Sequence, residues 1–318
     1  MTETPAAPGM RVYRWDLDKT YLLTDFDSFR SLVRTALEPA TAKRAVPGAT
    51  ALVRELGREA PGWRPRIHIV SGSPTQMRAT LEEKLRLDGV RFDSLVLKDN
   101  VGNLKRGRLR AVRGQFGYKL PELVASRVGL GAAVTESLFG DDAEIDAVVY
   151  SVYADAVAGR IGAVELSRLL EAAGAYSDDV VRTLAALRKV ALADAVERIF
   201  IRIDKGRPFA DFRPLGSRVV PVRTWYAAAL VLTSAGELPP AALAPVLAGS
   251  GLSPAAALGE LADVLERGHA NPHGLARVGG LLPDGASSLL GRGWEYRPPA
   301  PPAGVDYLAV LSRFRRGK

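Results

Sequence analysis

Short apolar runs alternate with longer amphipathic stretches from residue 11 to about residue 203 of this chain. The runs have the length and residue types of buried strands, and the stretches repeat their apolar residues at helical spacing. Such alternation is typical of βαβ units, so we predict an α/β fold built on a parallel sheet. The predicted strands lie near 11–16, 66–71, 94–98, 135–140 and 198–203. The predicted helices lie near 26–37, 47–59, 75–86, 120–128, 143–157, 163–173 and 178–197.

The first predicted strand ends in two acids, Asp16 and Asp18, and Thr20 follows them. Two carboxylates separated by one residue can project into the same crevice where a strand breaks into a loop. They would repel each other unless a cation lay between them, which indicates a divalent metal. The alternative is structural, with Asp18 or Thr20 capping a turn or a helix.

Three further polar segments follow where later strands end or helices begin. Ser71 and Gly72 close an apolar run, Lys119 precedes a helical stretch, and Gly140 opens an acidic loop. The acids of that loop are Asp141, Asp142, Glu144 and Asp146. Parallel α/β sheets bind ligands beyond the carboxyl ends of their strands, so we expect the strand-end residues to meet there.

In this order the segments resemble the four motifs of the haloacid dehalogenase superfamily of phosphoryl-transfer enzymes. The matching residues are Asp16, Asp18 and Thr20; Ser71; Lys119; and Gly140, Asp141 and Asp146. The resemblance covers about residues 10–205 and implies a three-layer Rossmannoid fold. Segments 22–44 and 99–116, where this superfamily inserts its caps, are short here, which implies no cap or a minimal one.

A narrower resemblance is to the catalytic domain of the actin-patch phosphatidate phosphatase family. It depends on residues 70–74, 118–119, 140–150 and 199–202. That family usually has a second Ser where Gly72 stands and a His where Tyr118 stands. It also usually carries Pro-Glu-Ile-Tyr after the last acid, where this chain has Ala-Val-Val-Tyr. The resemblance makes phosphatidate, or another bulky phosphomonoester, a candidate substrate.

The resemblance implies a phosphomonoester hydrolase that forms an aspartyl-phosphate. Asp16 would be the nucleophile, Asp18 the general acid and base, and Lys119 the cation that neutralises developing charge. The phosphate-binding residues would be Leu17, Thr20, Ser71 and Gly72. The cofactor would be Mg²⁺, and its site would comprise Asp16, the Asp18 carbonyl, Asp141 and Asp146, with Asp142 as a lower-ranked alternative.

Other interpretations stay open at this point. Lys98, at the end of another predicted strand, competes with Lys119 for the role of the catalytic cation. The chain could instead be a catalytically silent module that binds phosphate or lipid, because a fold does not guarantee activity. A third interpretation is a phosphoacceptor in which Asp16 is only phosphorylated.

Composition limits the partners. The chain has 43 Lys and Arg against 35 Asp and Glu, and its net charge of +8 favours phosphorylated substrates, macromolecular phosphates or acidic lipid surfaces. Few aromatic residues lie among the basic residues, so no stable nucleic-acid partner is expected. Those basic residues are Lys105, Arg106, Arg108, Arg110 and Arg113. The absence of cysteine, of a signal-like start and of an apolar run that could span a bilayer predicts a cytoplasmic protein, with peripheral membrane contact as a candidate.

We predict four segments along the chain. They are a disordered tail over 1–9, an α/β domain over 10–215, a helical appendage over 216–296, and a Pro-rich linker with a terminal helix over 297–318. The terminal helix has Tyr307, Leu311 and Phe314 at helical spacing. These side chains would dock the helix on the core or, in the alternative, bind a membrane surface.

Overall fold

The computed structural model describes residues 9–24, 38–100, 102, 107 and 114–316. Its strands are β1 Gly9–Trp15, β2 Trp63–Pro74, β3 Ser94–Lys98, β4 Thr135–Asp141, β5 Val196–Arg202 and β6 Val219–Val222. They form one sheet of six strands in the order β3-β2-β1-β4-β5-β6, and all neighbours are parallel. The predicted α/β fold with a parallel sheet is confirmed, and this strand order is that of a Rossmann-like three-layer fold.

Helices cover both faces of the sheet. In chain order they are α1 Ala49–Leu56, α2 Arg78–Leu87, α3 Phe116–Arg127, α4 Asp146–Val157, α5 Ala163–Ala172, α6 Ser177–Leu187, α7 Trp225–Ser234, α8 Leu243–Ser250, α9 Pro254–Glu266, α10 Pro272–Ala276, α11 Ala286–Leu290 and α12 Tyr307–Arg316. The apolar side chains of α1, α2 and α7 to α11 form one core cluster on one face. Those of α3 to α6 and α12 form a second cluster on the other face.

The middle of the sheet is built from aromatic residues. Trp15 of β1 stacks on Phe139 of β4 with ring centroids 4.2 Å apart, and Phe139 stacks on Phe200 of β5 at 5.1 Å. Both faces of these strands are buried, so apolar and polar residues do not alternate along them, and buried charged residues such as Arg14 and Glu136 lie among the apolar ones. This packing fixes the level at which β1 and β4 end, since Trp15 lies opposite Phe139 in the register.

The sheet extends beyond residue 215, where we predicted that the α/β domain would end. Strand β6 falls inside the segment predicted as a helical appendage and pairs with β5. It escaped prediction because it has only four residues, one of them Pro221, which lacks an N–H and is tolerated on an edge strand. The next helix, α7, is buried along its whole length in the same core as β1.

The terminal helix docks on the core, which is the first of the two interpretations of its sequence. Tyr307, Leu311 and Phe314 of α12 are buried in the cluster that also contains α4 and α5. The Tyr307 hydroxyl donates a hydrogen bond of 2.6 Å to Asp155 of α4. The apolar face that a membrane surface would have contacted is therefore occupied by the protein itself.

Several predictions concern residues outside the described ranges. These are the tail up to residue 8, the helix at 26–37, the basic run at 105–113, and most of the two segments where a cap would be inserted. None of the helices in the described ranges combines the length and the apolar composition that a membrane crossing requires.

Candidate active site

The strand order reverses between β1 and β4, and the candidate site lies at their carboxyl ends. Connections from these two strands lead to helices on opposite faces, since α1 belongs to one core cluster and α4 to the other. Such a switch point is where open α/β sheets bind ligands. Asp16 directly follows β1, and Asp141 is the last residue of β4. Their two carboxylates therefore meet at this point.

The turn after β1 is held in an unusual conformation. Lys19 has a φ of 62°, and within the described ranges it is the one non-glycine residue with a positive φ. This left-handed conformation is unfavourable for a lysine. The guanidinium group of Arg202 donates two hydrogen bonds, of 2.9 and 2.6 Å, to the Lys19 carbonyl. The end of β5 thus stabilises the turn that carries Asp18 and Thr20.

Leu17 contributes to the same turn from inside the core. Its side chain is buried, and its carbonyl accepts hydrogen bonds of 2.9 and 2.8 Å from the N–H groups of Tyr21 and Leu22. The Thr20 carbonyl accepts a hydrogen bond of 3.0 Å from the Trp225 indole of α7. Because the Leu17 side chain is buried, only the Leu17 backbone could serve the predicted phosphate-binding role.

Three buried acids form a cluster that could hold a metal. Each of Asp16, Asp141 and Asp146 offers one carboxylate oxygen, and these oxygens lie within 4.8 Å of one another. The Thr20 hydroxyl lies 2.9 Å from Asp141 Oδ2 and 3.3 Å from Asp16 Oδ2, so it bridges the first two acids. Gly140 leaves room for the third, because a Cβ there would lie 2.5 Å from Asp146 Oδ2.

Lys119 balances part of this negative charge. Its Nζ lies 3.0 Å from Asp16 Oδ1, 2.6 Å from Asp146 Oδ1 and 2.9 Å from Glu144 Oε2. Burial alone would lower the pKa of Lys119, but the charges of Asp146, Asp16 and Glu144 raise it well above its ordinary value. Lys119 is therefore a permanent cation, and it lies on the first turn of α3 rather than ahead of the helix.

The remaining charge of the cluster is uncompensated, which fits a bound cation. Burial, together with the neighbouring acids, raises the pKa of Asp16 and of Asp141 well above the ordinary value. In addition, Asp146 Oδ2 is buried without a hydrogen-bond partner in the described part of the chain. Oxygen atoms at about 2.1 Å are what Mg²⁺ requires. The three acids could therefore hold a metal ion that prefers oxygen ligands.

Asp18 belongs to a separate part of the site. Its carboxylate is not one of the clustered ligands, so only its backbone carbonyl could fill the metal role that we predicted. Oδ2 accepts hydrogen bonds from Ser71 at 3.1 Å and from Ser73 at 2.7 Å, whereas Oδ1 is buried without a partner. Burial raises the pKa of Asp18, although these serine hydroxyls oppose the shift. Ser71 thus contacts Asp18 directly, a partner that we did not predict.

Gly72 provides space for a neighbouring side chain. A Cβ at residue 72 would lie 2.4 Å from Nε2 of Gln115, at the start of α3. That same Nε2 donates a hydrogen bond of 2.7 Å to Glu144 Oε1. Gln115 therefore connects the end of β2 with the acidic loop, and it fits only because residue 72 has no side chain.

Asp142 has a structural role, and its contacts do not favour it as the alternative metal ligand. Its two oxygens accept hydrogen bonds of 2.6, 2.8 and 2.9 Å from the N–H groups of Asp204, Lys205 and Arg207. Neighbouring residues in an extended strand point to opposite sides, so Asp142 turns to the loop after β5 while Asp141 faces the cluster.

Lys98 lies at the end of β3 and donates a hydrogen bond of 2.8 Å to the Gly114 carbonyl. Burial lowers the pKa of Lys98 to about 8, and the charge of Lys119 acts in the same direction. Because Lys119 contacts Asp16 and keeps its charge, the geometry favours Lys119 over Lys98 as the cation of the site.

Sequence reasoning missed three participants: Ser73, Gln115 and Glu144. Ser73 and Glu144 lie inside segments that the motifs had identified, but those motifs specify neither position. Gln115 lies four residues before Lys119, one helical turn away, and that spacing was an available signal.

Compared with protein-family models, with curated proteins and with solved structures, the chain matches none of them.

Proposed function

We propose that this chain is a Mg²⁺-dependent phosphomonoester hydrolase of the haloacid dehalogenase type. One observation carries the proposal. The Asp16 carboxylate lies at a sheet switch point, between a buried lysine on one side and a hydroxyl bridge to Asp141 on the other. A purely structural aspartate would not be expected beside two further buried acids whose charge is incompletely balanced.

Asp16 would attack phosphorus and form an aspartyl-phosphate, which divides one difficult displacement into two easier ones. Lys119 and Thr20 hold the two oxygens of this carboxylate and so fix its direction of attack. Lys119 also carries a permanent charge that stabilises negative charge developing on the phosphoryl oxygens. Mg²⁺, held by Asp16, Asp141 and Asp146, would supply the charge that offsets repulsion between the nucleophile and an anionic substrate.

Asp18 would protonate the leaving alcohol and later take a proton from the attacking water. The raised pKa of Asp18 suits a general acid, because the group keeps its proton closer to neutral pH. The hydroxyls of Ser71 and Ser73 donate to Oδ2, so the proton of the neutral acid belongs on Oδ1. That oxygen has no partner within the described residues and is available to the leaving group.

The test is phosphate release from a panel of phosphomonoesters, including phosphatidate in mixed micelles, with Mg²⁺ or with EDTA. Wild type should release phosphate only with Mg²⁺, and Asp16→Asn should lose at least about 10³-fold in kcat, as expected for a residue that makes the covalent bond. Asp284→Asn is the matched control, because Asp284 is exposed and the substitution removes the same charge.

A second readout identifies the nucleophile. Acid quenching before the first turnover is complete, with substrate labelled in its phosphoryl group, should leave the label on the peptide that contains Asp16. Normal release by a folded Asp16→Asn protein would refute the assignment. If the wild type released phosphate from no substrate in the panel, the catalytically silent binding module would replace the enzyme as the better interpretation.

A further inference from the structure

Glu144 is an acid of the candidate site that neither the motifs nor the proposed chemistry uses. It lies in the turn between β4 and α4, where its N–H donates a hydrogen bond of 3.3 Å to Asp141 Oδ1. Its carboxylate accepts from Lys119 Nζ at 2.9 Å through Oε2 and from Gln115 Nε2 at 2.7 Å through Oε1. Two side chains from α3 thus hold the Glu144 carboxylate over the site.

The position of this carboxylate is central to the charges of the site. Its negative charge contributes to the raised pKa of each of the other acids, namely Asp16, Asp18, Asp141 and Asp146. Glu144 therefore lies close to both halves of the site, the metal-type cluster and the candidate acid. This is the region in which a substrate anion would have to bind.

Lys119 cannot bind a substrate oxygen without giving up a partner. A lysine ammonium has three N–H donors, and its nitrogen here is within 3.0 Å of three acids, Asp16, Glu144 and Asp146. Asp16 is the proposed nucleophile, and Asp146 has no exposed surface. The Glu144 side chain is 22% exposed, so it is the partner that can leave toward solvent.

We propose that Glu144 occupies the place of the substrate's phosphoryl group and must swing out before that group can bind. This inference rests on the proposed function, because it assumes that Lys119 receives a phosphoryl group. Glu144 therefore competes with any substrate anion for Lys119 and sets the attraction that such an anion has to exceed in order to bind. A phosphomonoester brings two negative charges in exchange for one carboxylate, whereas a phosphodiester brings only one and gains nothing in charge. The site should therefore select dianionic monoesters over monoanionic diesters.

Gln115 helps to hold Glu144 in its inward position. Its amide holds Glu144 Oε1, and it can reach this position because residue 72 is glycine. Truncation of Gln115 removes one of the contacts that hold the carboxylate inward. A Gln115→Ala protein should therefore release Glu144 more readily while it keeps the native charge of the site.

The test measures binding of inorganic phosphate and of dimethyl phosphate to the full chain by titration calorimetry, with Mg²⁺ present at pH 8. Glu144→Gln should bind phosphate about tenfold more tightly than wild type, because a like charge has been removed at hydrogen-bond distance. Its affinity for dimethyl phosphate should rise by a similar factor, because both anions have to displace the same carboxylate. Gln115→Ala should shift affinity in the same direction by a smaller factor. Glu59→Gln, an exposed change of equal charge, should leave both affinities unchanged.

Equal or weaker phosphate binding by Glu144→Gln would overturn the inference, as would the absence of phosphate binding by every variant. Failure of the proposed function has a different signature. Tighter phosphate binding by Glu144→Gln together with no ester hydrolysis by wild type would retain the anion role of Glu144 and refute the phosphatase. Hydrolysis by wild type with unchanged phosphate affinity in Glu144→Gln would retain the phosphatase and refute the role of Glu144.

Discussion

The substitution Glu136→Gln tests how strongly a buried ionic network supports the sheet. Glu136 of β4 is fully buried and accepts hydrogen bonds from Arg14 of β1 at 2.7 and 3.1 Å and from Arg127 of α3 at 2.8 Å. The Tyr153 hydroxyl of α4 donates a further bond of 2.7 Å. One carboxylate thus serves as the shared counter-charge of two buried guanidinium groups and connects two strands with two helices.

A glutamine keeps the volume of Glu136 but leaves both arginines without a counter-charge. Removing one partner from a buried ion pair costs about 3–5 kcal/mol, and we expect about 4 kcal/mol here. With an unfolding entropy of about 2.1 cal/mol/K per residue, the 318 residues give about 0.67 kcal/mol/K, so Tm should fall by about 6 °C. This is a large share of the 5–15 kcal/mol that stabilises a typical domain.

The measurement is urea and thermal unfolding followed by circular dichroism, with Glu59→Gln as the charge-matched control. The loss should depend on pH. Burial alone would raise the pKa of Glu136, but the charges and hydrogen bonds of Arg14 and Arg127 lower it below its ordinary 4.5. A lowered carboxyl pKa contributes stability above the unfolded value and loses it as pH falls through the folded value. The two proteins should therefore differ fully at pH 7 and converge only as the pH falls below the lowered folded-state pKa of Glu136. A loss under about 1 kcal/mol at pH 7 would refute the reasoning.

Two further predictions concern the acid cluster. Gly140→Ala should displace Asp146, since the new Cβ would lie 2.5 Å from Asp146 Oδ2; overpacking of this kind costs about 1–3 kcal/mol. Its control is Gly259→Ala in α9, where nothing lies within 4 Å of a new Cβ, and equal unfolding energies for the two variants would contradict the expected clash. Metal-free wild type should lose stability as pH rises above about 4, the ordinary pKa of an aspartate. Burial raises the pKa of Asp16 and of Asp141, and a carboxyl group with a raised folded-state pKa loses its contribution to stability as the pH rises through that pKa. Added Mg²⁺ should restore Tm more at pH 8 than at pH 5, and an equal Mg²⁺ effect at both pH values would exclude these acids as its ligands.

The sequence was sufficient to place the strand-end residues, because parallel strands present their carboxyl ends at one edge. Asp16 and Asp141 meet there for that reason, whereas Ser71 lies within β2, close to its carboxyl end. It was insufficient for side-chain partners, which depend on how separate segments pack. The Ser71 hydroxyl contacts Asp18, and Asp142 turns to a loop more than sixty positions later in the chain.

The weakest predictions were those in which local pattern competed with tertiary contacts. Strand β6 has too few residues for an apolar repeat to be visible in its sequence. It forms a strand because it pairs with β5. The helix predicted to extend to residue 197 ends at Leu187, because the apolar residues from Val196 onward enter the sheet as β5. A pattern read along the chain cannot weigh such competing partners.

The pairing of β1 with β4 has a consequence for biosynthesis. Arg11 of β1 pairs with Thr135 of β4, so the central strand leaves the ribosome long before its second neighbour has been made. Until then β1 can pair only with β2, and its other edge is an unpaired template for aggregation. We therefore expect nascent chains that stop before residue 135 to engage chaperones, and the complete chain to close this edge post-translationally or late in synthesis. Asp16 would meet Asp141 only at that closure, so the acid cluster should form late in folding.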